Sequence, residues 1–136
     1  MANVLIIDDV ERVSRVFSRA ITRMGHQAEF AFTLREGLRK LRKHDFDLVL
    51  LDVGLPDGNG LDAVSIILKA QGEPEVIIIT GQGDAEGAEM AVKSGAWTYV
   101  EKPPVMDQLV LHIKRALQFR EQKINACRPL VWKNWD

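Results

Sequence analysis

The stretch VLIIDDV, residues 4–10, decides the fold, because four apolar residues run directly into two adjacent carboxylates. Residues 48–51 and 76–79 are two further runs that are almost purely apolar. None of the three runs alternates between apolar and polar residues, which is typical of strands buried on both faces of a parallel sheet. Residues 27–31 and 97–100 are weaker strand candidates. The sequence therefore predicts a buried sheet of five strands.

Helical segments separate these strands. Residues 13–24 carry an apolar stripe at helical spacing, and Gly25 follows where a left-handed C-terminal cap would lie. Thr33 and Glu36 form the pattern of a capping box ahead of the second helix. The predicted helices cover about residues 11–24, 34–43, 60–70, 84–94 and 106–123. The fourth helix carries small residues and Gly87, which predicts weak anchoring.

Strand and helix alternate five times, an order that the right-handed crossover rule folds into a doubly wound α/β domain with a parallel sheet. The length of 136 residues suits one such domain. We expect it at residues 1–123, followed by a tail or linker at residues 124–136, where the periodicity stops. This tail contains Trp132 and Trp135, for which local packing is favoured over a binding platform.

Composition and charge narrow the class of protein. Hydrophobic residues make up 46% of the chain and charged residues 27%, as in ordinary globular domains. A net charge of -1 argues against a domain held to nucleic acid by bulk electrostatics, so any link to DNA would be indirect. The single Cys127 cannot form an intramolecular disulfide, which favours a reducing compartment. The sequence has neither a signal-peptide pattern nor an apolar stretch of bilayer length, so we expect a cytoplasmic protein.

Polar side chains of chemical interest follow four of the predicted strands. In an open parallel sheet, ligands bind beyond the carboxyl ends of the strands. The residues at these ends are Asp8, Asp9, Asp52, Thr80 and Lys102. We expect all of them to converge at one edge of the sheet.

The three acids at this edge would repel one another unless a cation neutralised them. Carboxylate oxygens suit a hard divalent ion, and Mg2+ fits best because it keeps several waters and shares its sites with phosphate oxygens. Asp8, Asp9 and Asp52 therefore form a candidate Mg2+ site. An alternative role for Asp8 and Asp9 stays open, namely capping and dipole compensation at the start of the first helix.

Asp52 is the candidate nucleophile. A carboxylate beside a divalent ion can attack a phosphoryl group and become an aspartyl phosphate. Lys102 would then pair with the phosphoryl oxygens, Thr80 would donate its hydroxyl to another, and Gly81 leaves room beside Thr80. A cis bond before Pro103 would turn the lysine back over the strand ends, but the residues alone leave cis and trans open.

The segments IIDD, LLDVGLPDGNG, IIITG and GAWTYVEKPP closely resemble the receiver domains of two-component response regulators, over about residues 3–122. The resemblance implies a flavodoxin-like (βα)5 fold whose five-stranded parallel sheet has the order 2-1-3-4-5. It implies a phosphoacceptor, with at most self-phosphorylation and autodephosphorylation, rather than an enzyme. The phosphoryl donor would be a histidine kinase or a phosphotransfer protein.

The resemblance also implies roles for the residues at the strand ends. Asp52 would accept the phosphoryl group, and Asp8 and Asp9 would be the acidic pair that binds Mg2+ together with Asp52. The backbone carbonyl of Gly54 would be a further metal ligand. No cofactor other than Mg2+ is implied.

Further implied roles concern switching. Thr80 and Lys102 would contact the phosphoryl group, and Tyr99 would rotate with the phosphorylation state. The face between the fourth and fifth helices would bind partners or form a homodimer. Two departures from the usual pattern affect loop shape and phosphate lifetime: Pro104 follows the Lys-Pro pair, and Gly54 leaves any influence on water attack to Gln82.

The output of such a switch stays open. The loop LPDGNGLD and the long fifth helix are similar to those of receivers at the front of bacterial enhancer-binding activators, where DNA would be bound only by a further output domain. A free-standing receiver is the alternative.

Two other functions are weighed against this one. A phosphohydrolase with an aspartyl-phosphate intermediate would need an acid two residues after Asp52, where Gly54 stands. A nucleotide or flavin module would need a glycine-rich loop after the first strand, where acids stand instead.

Overall fold

The computed structural model describes residues 1–81 and 85–126 of the chain. Strands and helices alternate along these residues. The strands are β1 Asn3–Ile7, β2 Gln27–Ala31, β3 Leu48–Asp52, β4 Gly54–Leu55, β5 Gly58–Asn59, β6 Glu75–Thr80 and β7 Thr98–Glu101. The helices are α1 Glu11–Arg23, α2 Leu34–Lys43, α3 Gly60–Leu68, α4 Ala85–Lys93 and α5 Met106–Ala126.

A parallel sheet of five strands forms the centre of the molecule, in the order β2-β1-β3-β6-β7. Counted along the chain, the strands of this sheet run 2-1-3-4-5, so the predicted order and the flavodoxin-like fold are confirmed. The remaining strands, β4 and β5, pair with each other as a short antiparallel hairpin. The sequence did not predict this hairpin, because residues 53–60 have the composition of a loop.

Helices cover both faces of the sheet, which explains why the central strands do not alternate. One face packs under α2, α3 and α4, and the other packs under α1 and α5. Successive residues of β1 point to opposite faces, so that Leu5 and Ile7 join the first layer while Val4 and Ile6 join the second. All four side chains are fully buried.

The ends of two helices follow the predicted local signals. Gly25 has a φ of +89° directly after α1, the left-handed conformation expected of a C-terminal cap. The hydroxyl of Thr33 accepts a hydrogen bond from the backbone N–H of Glu36 at 3.1 Å, as a capping box requires. The Glu36 carboxylate, however, faces Lys40 at 3.7 Å on the next turn.

Asp52 and Thr80 were expected at the ends of their strands, and the structure confirms both positions. Asp52 still pairs with Ile79 of the neighbouring strand, and Thr80 pairs with Glu101 of β7. β1, by contrast, ends at Ile7, directly before Asp8 and Asp9.

The fifth helix also differs from its prediction. It continues past Lys123 to Ala126. Phe119 is 42% exposed, and the centre of its ring lies 5.1 Å from that of Trp97 at the margin of the core. Predictions that concern Gln82, Asp84, Cys127, Trp132 and Trp135 lie outside the described residues.

Helix α4 packs through small side chains. Ala88 and Ala91 are its buried residues, whereas Met90 is 68% exposed. A β-carbon added at Gly87 would lie 2.6 Å from Leu61 Cδ1, so the glycine allows α4 to approach α3 closely. Small buried side chains bury little apolar area, which agrees with the weak anchoring predicted for this helix.

Across residues 1–81 and 85–126, no helix combines the length and the apolar character that crossing a bilayer would require.

Candidate functional site

Two neighbouring central strands bring the acids together. Ile7 of β1 and Leu51 of β3 are register partners, so the residues that follow them leave the sheet side by side. Carboxylate oxygens of Asp8, Asp9 and Asp52 all lie within 4.8 Å of one another. Asp8 and Asp52 are buried and Asp9 is exposed, so this cluster, called the acidic pocket below, reaches solvent at Asp9.

Lys102 supplies the positive charge of the pocket. Its Nζ lies 3.1 Å from Asp52 Oδ1 and 3.2 Å from Asp8 Oδ2. The backbone N–H of Lys102 donates to the carbonyl of Thr80 at 2.8 Å, which fixes the start of the loop after β7. The peptide bond between Lys102 and Pro103 is cis.

The electrostatics of the pocket favour a further cation. Burial and the neighbouring Asp8 raise the pKa of Asp52, although the contact with Lys102 acts in the opposite direction. Burial pulls the pKa of Lys102 down, but its contacts with Asp52 and Asp8 outweigh burial and raise that pKa overall. Lys102 therefore stays charged, and one ammonium group faces three carboxylates.

Asp8 has one oxygen without a well-aligned donor. Its Oδ1 accepts the backbone N–H of Val10 at 2.9 Å. Val10 is the N-cap residue of α1, and among the described residues no side chain caps this helix, so Asp8 does not play the capping role that was the alternative. Its Oδ2 is buried and lacks a hydrogen bond of good geometry among the described residues, even though Lys102 is 3.2 Å away. This oxygen lies near the positive charge of Lys102 but has no aligned hydrogen-bond donor, so it can still accept a metal ion.

Thr80 and Tyr99 lie on the same face of the sheet. Tyr99 pairs with Ile78, two residues before Thr80, and packs against the layer under α2, α3 and α4. Thr80 is fully buried, and its hydroxyl donates to the carbonyl of Gly81 at 3.1 Å. Thus the structure brings Asp8, Asp9, Asp52 and Lys102 into contact distance, while the hydroxyl of Thr80 is turned toward the backbone.

The sequence did not single out two residues near Asp52, namely Gly60 at the start of α3 and Asp57 at the tip of the hairpin. Gly60 lies so close to β3 that an added β-carbon would be 2.2 Å from the carbonyl oxygen of Asp52. Asp57 accepts hydrogen bonds from the backbone N–H groups of Leu34 and Arg35 at 2.8 and 2.9 Å. These bonds, of which Arg35 gives the largest effect, lower the pKa of Asp57. No local pattern marks either contact.

Comparison with known proteins agrees with the geometry. Residues 4–114 match the response regulator receiver domain. The chain is 34% identical over 122 residues to the DNA-binding transcriptional regulator NtrC of Proteus hauseri, covering 89% of this chain and 26% of NtrC. This chain thus spans about a quarter of the length of that relative.

Solved structures give the same result. A response regulator receiver domain protein from Clostridium thermocellum superposes with a TM-score of 0.83 at 30% identity, covering 90% of this chain and 98% of that one. The beryllofluoride-activated NtrC4 receiver domain dimer gives a TM-score of 0.82 at 34% identity, covering 88% and 99%. Since the family match spans most of the chain, this protein belongs to the response regulator receiver domain family.

Proposed function

We propose that this chain is the phosphoacceptor switch of a two-component signalling system and that Asp52 accepts the phosphoryl group. One observation carries the proposal: the carboxylates of Asp8, Asp9 and Asp52 lie within 4.8 Å of one another beside the ammonium group of Lys102. Three acids around one lysine leave a surplus of negative charge at a buried strand end. Such a pocket suits a divalent cation and a phosphoryl group together.

Asp52 acts as the nucleophile in this proposal. A carboxylate oxygen of Asp52 attacks the phosphorus of a phosphohistidine on the kinase or phosphotransfer protein, the P–N bond breaks, and the imidazole nitrogen keeps the electron pair of that bond. Lys102 Nζ, 3.1 Å from Asp52, is placed to pair with the phosphoryl oxygens. Because Asp52 is buried and Asp9 is exposed, we expect the phosphoryl donor to approach from the side of Asp9.

Asp8, Asp9, Asp52 and the carbonyl of Gly54 are the proposed ligands of Mg2+, which when bound would neutralise the acids and the phosphoryl oxygens. The buried Oδ2 of Asp8, without an aligned donor, supports this assignment. Gly54 is exposed at the start of the hairpin that follows Asp52. Oxygen donors alone line this set, as Mg2+ prefers.

Thr80, Tyr99 and α4 are the proposed moving parts. The hydroxyl of Thr80 would turn from Gly81 to a phosphoryl oxygen, Tyr99 would move into the vacated space, and the weakly anchored α4 would shift. The phosphoryl group drives this change only by interacting more favourably with the shifted state. We expect Thr80→Ala to accept phosphate normally but to lose the downstream response; a full response would contradict this role.

The output is proposed to be transcriptional and indirect. Met90 of α4, Val105 before α5 and Leu111 of α5 are exposed apolar residues, which suits a homodimer or a partner surface formed by α4, β7 and α5. The relative NtrC is a DNA-binding regulator and the NtrC4 receiver domain is a dimer, which supports this proposal. In this proposal residues 1–123 form the receiver unit, and residues 124–136 form a tail or a linker to an output domain.

Phosphorylation by acetyl phosphate tests the proposed function. We expect the chain to form an acid-stable, base-labile adduct in the presence of Mg2+, and to form little without it. The variant Asp52→Asn, which cannot form an acyl phosphate at that position, serves as the control. The proposal would be wrong if Asp52→Asn formed the adduct equally well, or if the parent formed it to the same extent with and without Mg2+.

A second experiment, with a generic phosphoester in place of acetyl phosphate, separates the switch from a phosphohydrolase. Sustained hydrolysis of a phosphoester would require an acid to protonate the leaving group, and the position two residues after Asp52 is Gly54. We therefore expect no appreciable turnover of the phosphoester. Continuous phosphate release from it would favour the hydrolase.

A further inference from the structure

We infer that Asp57 is a positioning residue for the metal pocket, holding the hairpin that carries Gly54 against the start of α2. This inference deepens the proposed function and rests on it. Asp57 lies at the tip of the hairpin formed by β4 and β5, and its carboxylate accepts both the N–H of Leu34 and the N–H of Arg35. These contacts span 23 and 22 residues of sequence, so they join two separate parts of the chain.

The hairpin is firmly attached at its base. The N–H of Val53 donates to the carbonyl of Ile79 at 3.2 Å, and the N–H of Gly60 donates to the carbonyl of Val53 at 2.8 Å. Leu55 is buried in the layer under α2, α3 and α4. Gly54, by contrast, is exposed, and an added β-carbon there would have no neighbour within 4 Å. The position of the Gly54 backbone therefore depends on how both ends of the hairpin are held.

Among the described residues, the contacts of the hairpin tip are with the start of α2. Besides the two hydrogen bonds of Asp57, the hairpin residue Gly58 approaches the side chain of Leu34, where an added β-carbon would lie 3.3 Å from Cδ2. Thr33 satisfies the N–H of Glu36, so Asp57 and Thr33 together accept three of the free N–H groups at the start of α2. The positive end of the helix dipole further favours the Asp57 carboxylate at this place.

The start of α2 is in turn tied to the acids. The N–H of Asp8 donates to the carbonyl of Ala31 at 3.0 Å, and Ala31 ends β2 just before α2 begins. A series of contacts therefore links Asp8 to Ala31, Ala31 to the start of α2, and α2 through the Asp57 side chain to the hairpin that follows Asp52. Two of the proposed metal ligands, Asp8 and Gly54, belong to the segments linked in this way. Loss of the Asp57 hydrogen bonds would let the Gly54 carbonyl move relative to the carboxylates.

Two measurements test this inference in the intact chain. Asp57→Ala removes both acceptors, and Asp57→Asn keeps one amide oxygen as an acceptor without charge. We expect faster amide hydrogen exchange at Leu34 and Arg35 without Mg2+, and a Kd for Mg2+ that is weaker by about tenfold in Asp57→Ala and by less in Asp57→Asn. Phosphorylation at saturating Mg2+ should stay close to that of the parent, because Asp57 does not touch the pocket.

Asp62→Asn is the matched control, since Asp62 is an exposed acid in the first turn of α3 and its loss changes the net charge equally. If the parent binds Mg2+ and Asp57→Ala binds it with the same affinity, the role of Asp57 is overturned while the proposed function stands. Equal weakening in Asp62→Asn would assign the effect to charge and also overturns it. Failure of the parent to bind Mg2+ removes the proposed function, and this inference falls with it.

Discussion

Gly60 is the residue whose replacement has the most direct steric consequence. An added β-carbon would lie 2.2 Å from the carbonyl oxygen of Asp52 and 3.2 Å from the Cα of Val53, both of which are backbone atoms that cannot rotate away. We expect Gly60→Ala to lower the free energy of unfolding by about 1–3 kcal/mol. Because the displaced atom belongs to Asp52, phosphorylation should slow as well.

Gly54→Ala is the control for the stability part of this prediction, since an added β-carbon at Gly54 meets nothing within 4 Å. Urea denaturation of both variants measures the difference. Equal stability of Gly60→Ala and the parent would show that the end of β3 can shift without loss of free energy, which would contradict the steric argument.

The ionised side chain of Asp52 lowers the stability of the folded chain. Burial and the nearby Asp8 raise its pKa, so at neutral pH the ionised side chain is disfavoured in the folded chain relative to the unfolded one. We expect Asp52→Asn to raise the free energy of unfolding, measured with a chelator present, by about 1 kcal/mol. Addition of Mg2+ should stabilise the parent more than the variant. A less stable Asp52→Asn chain under chelation would mean that the contact with Lys102 outweighs the repulsion.

At the scale of elements, α5 is fastened to the edge of the sheet opposite the acids. Arg120 donates to the carbonyls of Gly72 and Glu73, both at 2.6 Å, and to Asp47 Oδ1 at 3.1 Å. One turn further on, Lys123 Nζ lies 2.8 Å from Oε2 of the buried Glu75. The C-terminal part of α5 is therefore joined both to the start of β3 and β6 and to the loop before β6.

Arg120 carries most of this attachment. Its side chain is 12% exposed and makes three hydrogen bonds, so truncation would leave two carbonyls and Asp47 without their donor. We expect Arg120→Met to lower the free energy of unfolding by about 2 kcal/mol, as for other charged hydrogen-bond donors. Arg115→Met is the control, because Arg115 is exposed on the same helix and makes no ion pair with the described residues. Similar losses in both variants, measured by urea denaturation, would argue against a specific attachment.

At the scale of the whole molecule, His26 makes stability depend on pH. Its Nδ1 accepts the backbone N–H of Ala2 at 3.0 Å. Burial, followed by the charge of the N-terminal amine, lowers the pKa of His26, while Asp47 opposes this effect. Below the ordinary histidine pKa of about 6.5, the unfolded chain then binds the proton more readily than the folded one, so stability falls with falling pH.

His26→Asn tests this dependence, because asparagine can still accept the N–H of Ala2 but does not titrate. Between pH of about 7.5 and about 5.5, the parent should lose more unfolding free energy than the variant. His44→Asn removes an exposed imidazole and serves as the control. Parallel pH profiles for the parent and His26→Asn would show that His26 does not contribute.

Much of the architecture was readable from local patterns. The apolar runs at residues 4–7, 48–51 and 76–79 predicted the central strands, and Gly25 and Thr33 marked helix ends that the structure confirms. The partial exposure of Phe119 could not be predicted, because helical spacing places a residue on a stripe without showing where the sheet beneath it ends. The hairpin after Asp52 was missed because its strands are only two residues long and carry glycine and asparagine.

The sequence by itself determined the layered α/β fold and the identity of the reactive groups, because burial and strand ends leave a periodic, local imprint in the chain. Because the strands are parallel, their carboxyl ends lie at the same edge of the sheet, and this brings Asp8, Asp52 and Lys102 together. Only the tertiary structure decided which oxygen of Asp8 lacks an aligned donor, that Asp57 caps α2, and that Arg120 fastens α5. These contacts join residues far apart in the chain, so their energies depend on distances that no local spacing encodes.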